Sequence, residues 1–274
     1  MTTAPAVRVC SFNIRYDTPE DEYAWADRRP HVLEAIETID PDLIGCQEAL
    51  AHQYDDLRAG LPAYDWHGVG RCDGDREGEF VPVGWRRERF ECLDTGAFWL
   101  SETPDEPSVG WDGALPRVAT WVWLRDRGQA TDADADANAN DRYWVCTVHL
   151  DHRGEQARLQ SARLLRQRAS ARLDDGETAV VMGDYNCTPG SPPYRKLTMG
   201  ALADARKQAA DVSGPVGTFH GFDGAPGDRI DAVFLPSAVD VTTYRTLPPR
   251  DGVPRSDHLP LVVEFALADT EGGR

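Results

Sequence analysis

At 274 residues with 41% hydrophobic side chains, the chain suits one large α/β domain or two small ones, and no run approaches the roughly 18 apolar residues of a membrane span. A net charge of −17, from 46 acidic against 29 basic residues, argues against the basic stripe with which proteins grip long nucleic-acid duplexes. The six cysteines form no CxxC pair and no histidine stands at zinc-finger spacing, so a structural zinc site is not expected and six free thiols are.

The first strand is expected over Val7–Phe12, and it runs straight into Asn13. Before it, Met1 to Val7 shows neither the basic nor the apolar region of a targeting segment, which points to a soluble, cytoplasmic protein. A helix is expected over Arg29–Thr38, then a strand over Leu43–Cys46 ending in Gln47-Glu48, then a helix over Ala51–Ala59. Strands follow at Phe80–Trp85 and at Val118–Leu124, the second entered through Arg117. The Asp/Ala/Asn run 131–141 has too little apolar surface to pack and is expected to be a flexible hairpin tip.

A strand over Tyr143–Leu150 carries His149 near its end. The next element is a helix over Glu155–Leu173, with Leu159, Ala162, Leu165 and Ala169 on one face. Thr178–Met182 is a strand closed by Gly183-Asp184-Tyr185-Asn186, and Ile230–Leu235, Val239–Tyr244 and Leu259–Phe265 complete the set. Ser256-Asp257-His258 stands just before the last of these. Several strands are joined by connections too short for a crossover helix, so the sheets must be mixed. With no repeat and no dividing linker, a single domain over 1–274 is expected, its core about 7–265 and its tail 268–274 loose.

Lysine is confined to Lys196 and Lys207. An acidic, arginine-based surface suits either a cytoplasm of high salt, where screening acts over about 3 Å at 1 M, or a GC-rich genome, and it favours a soluble monomer. Stability measured against KCl separates the two.

The polar groups at the strand ends each have two readings. Glu48 is a helix cap or a cation ligand, and Asn13 a turn residue or a ligand. Asp184 and Asn186, one residue apart on extended backbone, share a side, where a carboxylate can orient water and an amide can bind an oxyanion. His258 is a general base or electrostatic stabiliser at neutral pH, and Asp231 is the carboxylate to hold its tautomer. His149 is a packed polar residue or a ligand. Arg117 either aims its guanidinium at a phosphate or pairs with an acid.

Taken in order, Asn13, Gln47-Glu48, His149, Gly183-Asp184-Tyr185-Asn186, Arg229-Ile230-Asp231 and Ser256-Asp257-His258 resemble the endonuclease/exonuclease/phosphatase superfamily, with its deoxyribonuclease I-like fold. The match runs from about Val7 to Phe265. A little-characterised prokaryotic branch is suggested by Phe98-Trp99-Leu100-Ser101-Glu102-Thr103-Pro104, His149-Leu150-Asp151-His152-Arg153-Gly154 and Gly217-Thr218-Phe219-His220-Gly221-Phe222.

The resemblance implies an α/β four-layer sandwich, two mixed β-sheets packed face to face and flanked by helices. It also implies Mg²⁺ or Mn²⁺ held by Glu48, Asn13 and Asp257, and phosphate contacts from His149 and Asn186. Asp184 would position or deprotonate water, and Asp231 would orient His258. Thr147-Val148 before His149, Ala232 after Asp231 and Tyr185 after Asp184 depart from the branch's usual residues. The expected activity is hydrolysis of a phosphodiester such as a nucleic-acid end, a nucleotide or another small diester. A phosphomonoesterase on a sugar or inositol phosphate comes second, and a non-catalytic binding module last.

Overall fold

The computed structural model describes residues 6–128 and 141–267. The expected flexible stretch 131–140 and the tail 268–274 lie outside the described residues, while Asp141, placed in that stretch from sequence, is 2% exposed.

Two mixed sheets form the centre. The first has seven strands in the order β10 (Asp211–Ser213), β12 (Val239–Thr246), β13 (Leu261–Leu267), β1 (Val7–Asn13), β2 (Leu43–Gln47), β4 (Val83–Arg86) and β3 (Tyr64–His67). The second has six, in the order β5 (Phe90–Trp99), β6 (Val118–Asp126), β7 (Arg142–His149), β8 (Thr178–Asp184), β11 (Asp231–Pro236) and β9 (Leu202–Asp204). Parallel pairs β1/β2, β7/β8 and β10/β12 sit among antiparallel ones, as the short connections require.

Three apolar layers explain why the central strands read as nearly continuous hydrophobic runs. Val7, Val9, Leu43 and Val263 of the first sheet meet Val145, Val180, Met182 and Val233 of the second in the shared core. On the outer face of the first sheet, Cys10, Phe12, Ile44 and Cys46 pack under α1 (Trp25–Ile39) and α2 (Ala51–Gly60), through Val32, Ile36 and Leu57. On the outer face of the second, Trp144, Cys146 and Val181 pack under α3 (Glu155–Asp174), through Ala162, Leu165 and Ala169. Short helices α4 (Pro192–Leu197) and α5 (Ala205–Gln208) complete the chain.

The two-residue period of the strands decides where the polar groups point. Val7 and Val9, Tyr143 and Val145, Val180 and Met182, and Val233 and Leu235 all face the shared core. Counting on by twos brings Asn13, His149 and Asp184, and counting back brings Asp231, to that same inner face. β1, β7 and β8 run one way and β11 the other, with Asp231 paired to Asp184. All four groups therefore meet at one rim of the sandwich.

Gly183 makes part of this geometry. Its φ is +144°, and a Cβ there would lie 2.0 Å from the Val148 carbonyl oxygen. The missing side chain lets β8 press against β7 one residue before His149 and Asp184, which are paired in register. All six cysteines are free thiols. Among the described residues no helix is long and apolar enough to cross a membrane.

Candidate active site

Glu48 comes one residue after β2, where strand alternation would send it to the outer face. Its left-handed backbone, φ 62°, turns it instead to the rim. Of the six described non-glycine residues with positive φ, Arg15, Glu48 and Asn186 are all here, a concentration of backbone strain typical of functional sites.

Asn13 sits at the centre. Its Nδ2 donates to Glu48 Oε1 at 2.9 Å and to Asp184 Oδ2 at 3.1 Å, and lies 3.4 Å from His258 Nε2, while its Oδ1 accepts from the Arg15 N–H. Asp231 Oδ2 is 2.8 Å from His258 Nδ1, and His258 Nε2 is 3.7 Å from Asp184 Oδ2. Thr218, which is fully buried, fixes the Asp231 end by accepting from the Ile230 and Asp231 N–H groups through its hydroxyl. Ser256 fixes the other end: its hydroxyl donates to the Asn13 carbonyl and accepts from the His258 N–H.

On the opposite side, Asn186 Nδ2 donates to the Leu150 carbonyl at 3.0 Å and lies 2.9 Å from His149 Nε2. That amide nitrogen can only donate, so His149 Nε2 accepts and its proton is on Nδ1. Nδ1 is buried without a hydrogen-bond partner, 3.7 Å from Glu79 and 3.9 Å from Glu48. Asp257 Oδ2 and Glu48 Oε2 face each other across the Arg15 guanidinium, at 3.8 and 3.9 Å. The structure thus brings Asn13, Glu48, His149, Asp184, Asn186, Asp231, Asp257 and His258 together. Arg117 lies beside them, its side chain 6% exposed and turned toward His152, Glu79 and Asp151.

The electrostatics follow from many carboxylates in little water. Burial and the neighbouring Asp231 raise the Asp184 carboxyl to about 7. Burial also raises Asp257, and it raises Glu79, helped by Glu48. Burial opposes charge on His258 too, but Asp231 outweighs it by charge and hydrogen bond, with Asp184 and Asp257 adding, so His258 is held protonated up to about 10. Burial and Arg117 push His149 well down, so it is neutral.

The sign of the His258 shift gives a direct check. Asp231→Asn removes the dominant raising charge, so the His258 pKa in metal-free protein should fall by roughly 1–3 pH units in an NMR titration of the ring protons. An unmoved pKa would mean that Asp231 does not govern this histidine.

Glu48, Asp184 and Asp257 gather three carboxylates at one rim, an excess of negative oxygen donors that fits a hard divalent cation. Ligand atoms of Glu48, Asp184 and His258 lie within 4.8 Å of one another. Asn13 presents its amino group to these acids, and its oxygen is engaged by Arg15.

One supporting residue of this neighbourhood carries no sequence signal of its own. Arg28 is fully buried and gives its N–H groups to five main-chain carbonyls, those of Ile14, Arg15, Tyr16, Tyr23 and Arg255. It thereby clasps the segment after Asn13 to the one before Ser256. Thr147, an atypical residue before the strand-end histidine, accepts from Gln47 Nε2 at 2.9 Å and links the two sheets under the site. Tyr185 points the other way and packs edge-on against Phe234, 5.0 Å between centroids.

Known proteins place the chain. The profile of the Endonuclease/Exonuclease/phosphatase family matches residues 10–258. An endonuclease/exonuclease/phosphatase structure from Bacteroides vulgatus is 37% identical, covering 96% of this chain and 99% of that one, with a TM-score of 0.88. A mannosyl-6-phosphatase structure from Bacteroides thetaiotaomicron is 31% identical, covering 95% and 100%, with a TM-score of 0.86. Among curated relatives, an uncharacterised protein of Acanthamoeba polyphaga mimivirus is 24% identical over 171 residues, and the chain spans 60% of its length. Other curated relatives are longer still, the chain spanning 34% of protein angel homolog 2 of Mus musculus. The strand-end groups, the two stacked sheets and the match over residues 10–258 agree on one conclusion: the chain belongs to the endonuclease/exonuclease/phosphatase family.

Proposed function

We propose that the protein is a divalent-metal-dependent phosphoesterase that hydrolyses a small phosphomonoester, a sugar phosphate, by in-line attack of water. The observation that carries the reaction class is the meeting, at one rim, of the acidic set Glu48, Asp184 and Asp257 with the Asp231–His258 pair and the His149–Asn186 pair. Phosphoryl transfer needs charge neutralisation at the oxygens, an aligned nucleophile and help for the leaving oxygen, and these groups supply each.

Glu48 and Asp257 would hold Mg²⁺ or Mn²⁺, which when bound neutralises charge on the phosphoryl oxygens; Asn13, expected among the ligands, instead donates from its amide to Glu48 and Asp184 and holds those acids in place. Asp184 orients and deprotonates the water, its Oδ1 fixed by the Asn186 N–H at 2.8 Å. His258 acts as a cation on the phosphoryl group, its Nδ1–H given to Asp231 and its Nε2 turned to the site. His149, its Nε2 held by the Asn186 amide, donates its Nδ1–H to a phosphoryl oxygen, and Arg117 adds positive charge behind it.

The diester was the first expectation from sequence and the monoester the second. The order is reversed here on two grounds: the 31% identity, over 95% of the chain, to a mannosyl-6-phosphatase, and the net charge of −17, which disfavours polyanionic nucleic acid. The second reading, a phosphodiesterase of nucleotides or nucleic-acid ends, keeps the same site.

A matched panel decides between them: hexose 6-phosphates, nucleoside monophosphates, dinucleotides and short DNA and RNA, each with Mg²⁺, Mn²⁺ or chelator. The expected result is metal-dependent release of phosphate from a sugar monoester. Cleavage of diesters alone would overturn the monoester reading, and no turnover of any ester would overturn the phosphoesterase itself.

A further inference from the structure

His149 is followed three residues later by a second histidine, His152, exposed on the turn that leads into α3. Its ring is set by an arginine. Arg117 Nη2 lies 3.0 Å from His152 Nδ1, and a guanidinium can only donate, so Nδ1 accepts and the ring proton resides on Nε2. A second proton on Nδ1 would face that guanidinium directly, so the ring stays neutral.

Neither anchor is free to move. The Arg117 side chain is 6% exposed, with Nη1 3.7 Å from Glu79 Oε2 and Nε 3.8 Å from Asp151 Oδ2. Asp151 is itself fixed by three main-chain donors: Arg153 and Gly154 to Oδ1, at 2.9 and 2.7 Å, and Ala114 to Oδ2 at 2.9 Å. The turn around His152 is therefore rigid, and its position relative to the phosphate side is fixed as well, because Glu79 Oε2 is 3.7 Å from both Arg117 Nη1 and His149 Nδ1.

A neutral ring with one fixed N–H, held beside the group that reads the phosphate, is suited to an uncharged oxygen acceptor. It offers no charge for a second phosphate and no lone pair for a donor. We infer that His152, locked by Arg117 in its Nε2–H form, is a specificity-determining residue that donates a hydrogen bond to a hydroxyl oxygen of the sugar esterified to the phosphate. The inference rests on the phosphomonoesterase reading and extends it to the alcohol part of the substrate. Arg117 then acts as the positioning residue for His152.

Two measurements test it. In the metal-free protein, ¹⁵N NMR of the His152 ring at neutral pH should show a bare Nδ1 and a protonated Nε2, and Arg117→Met should abolish the preference. A protonated Nδ1 or an imidazolium in the wild type would overturn the proposal. Second, kcat/KM is compared for a hexose 6-phosphate, a ribonucleoside 5′-monophosphate and p-nitrophenyl phosphate, which has no hydroxyl to read.

His152→Ala should lower the ratio of hexose phosphate to aryl phosphate about tenfold, mainly through KM, by loss of one neutral hydrogen bond. His152→Gln, which keeps a side-chain N–H, should restore most of it. The same ratio in all three proteins would overturn this inference while leaving the phosphoesterase intact. A fall confined to the nucleotide would overturn the sugar assignment, and wild-type protein inert toward all three esters would overturn the monoesterase reading and this inference with it.

Discussion

Asp184→Ala and His258→Ala should each lower kcat by on the order of 10²-fold or more, with the fold unchanged by circular dichroism. Asp184 is 1% exposed and His258 4%, and both are already held by partners, so neither has a substitute group within reach. Their partners make the prediction more specific. Because the Asp231–His258 hydrogen bond makes those two residues one device, Asp231→Asn combined with His258→Ala should be little worse than His258→Ala alone. A loss that multiplies in the double variant would separate their roles, and near-wild-type turnover by either alanine variant would sink the assignment of that residue.

Glu48→Gln should raise the metal concentration needed for half-maximal activity by at least about 100-fold, since even outer residues of metal sites cost 10–100-fold. It should also remove most of the rise in melting temperature that Mg²⁺ or Mn²⁺ gives the wild type, because that rise is binding to the folded state alone. The metal-free variant should stay within about 1 kcal/mol of metal-free wild type, because two effects oppose each other. Glu48 raises both Asp257 and Glu79, so replacing it by an isosteric amide relieves repulsion. Against that, Glu48 Oε1 accepts from Asn13 Nδ2 and Oε2 from the Tyr16 N–H, so the amide, with a single oxygen, gives up one of the two acceptors. A metal-induced shift equal to that of the wild type would place the cation elsewhere.

Much of this site could be read from the chain because strand periodicity carries it. An apolar run that ends in Asn13, His149 or Asp184 states both the strand and, by parity, the face on which the polar group emerges. The same logic fails where a strand lacks a run. β5 reads Phe-Glu-Cys-Leu-Asp-Thr-Gly-Ala-Phe-Trp, forms one edge of its sheet and carries a register shift between Cys92 and Asp94, so its apolar positions never line up. β10 is exposed at all three residues, and β9 is as short. The expected strand Phe80–Trp85 begins only at Val83, since Pro82 has no N–H for a ladder. Likewise the last strand starts after Pro260, at Leu261.

The supporting residues were hidden for another reason. Arg28 bonds main-chain carbonyls, and a carbonyl is offered by every residue, so no pairing of side-chain types announces the contact. Thr218 and Ser256 act on backbone groups in the same way. The expected helix from Arg29 places Pro30 in its first turn, yet the helix begins at Trp25, and it is this earlier turn that carries Arg28 inward.

The position of β13 has a consequence for the order in which this molecule can come into being. It lies between β12 and β1, so the outer pair β10 and β12 joins the rest of the first sheet only through it. Ser256, Asp257 and His258 stand immediately before it, and Ser256 ties back to Asn13 near the chain's beginning. A growing chain on the ribosome that has reached only Thr246 therefore has a sheet in two pieces and a cluster of acids with no histidine opposite Asp231. Closure of the sheet and completion of the rim both depend on the same stretch of chain, residues 256–267.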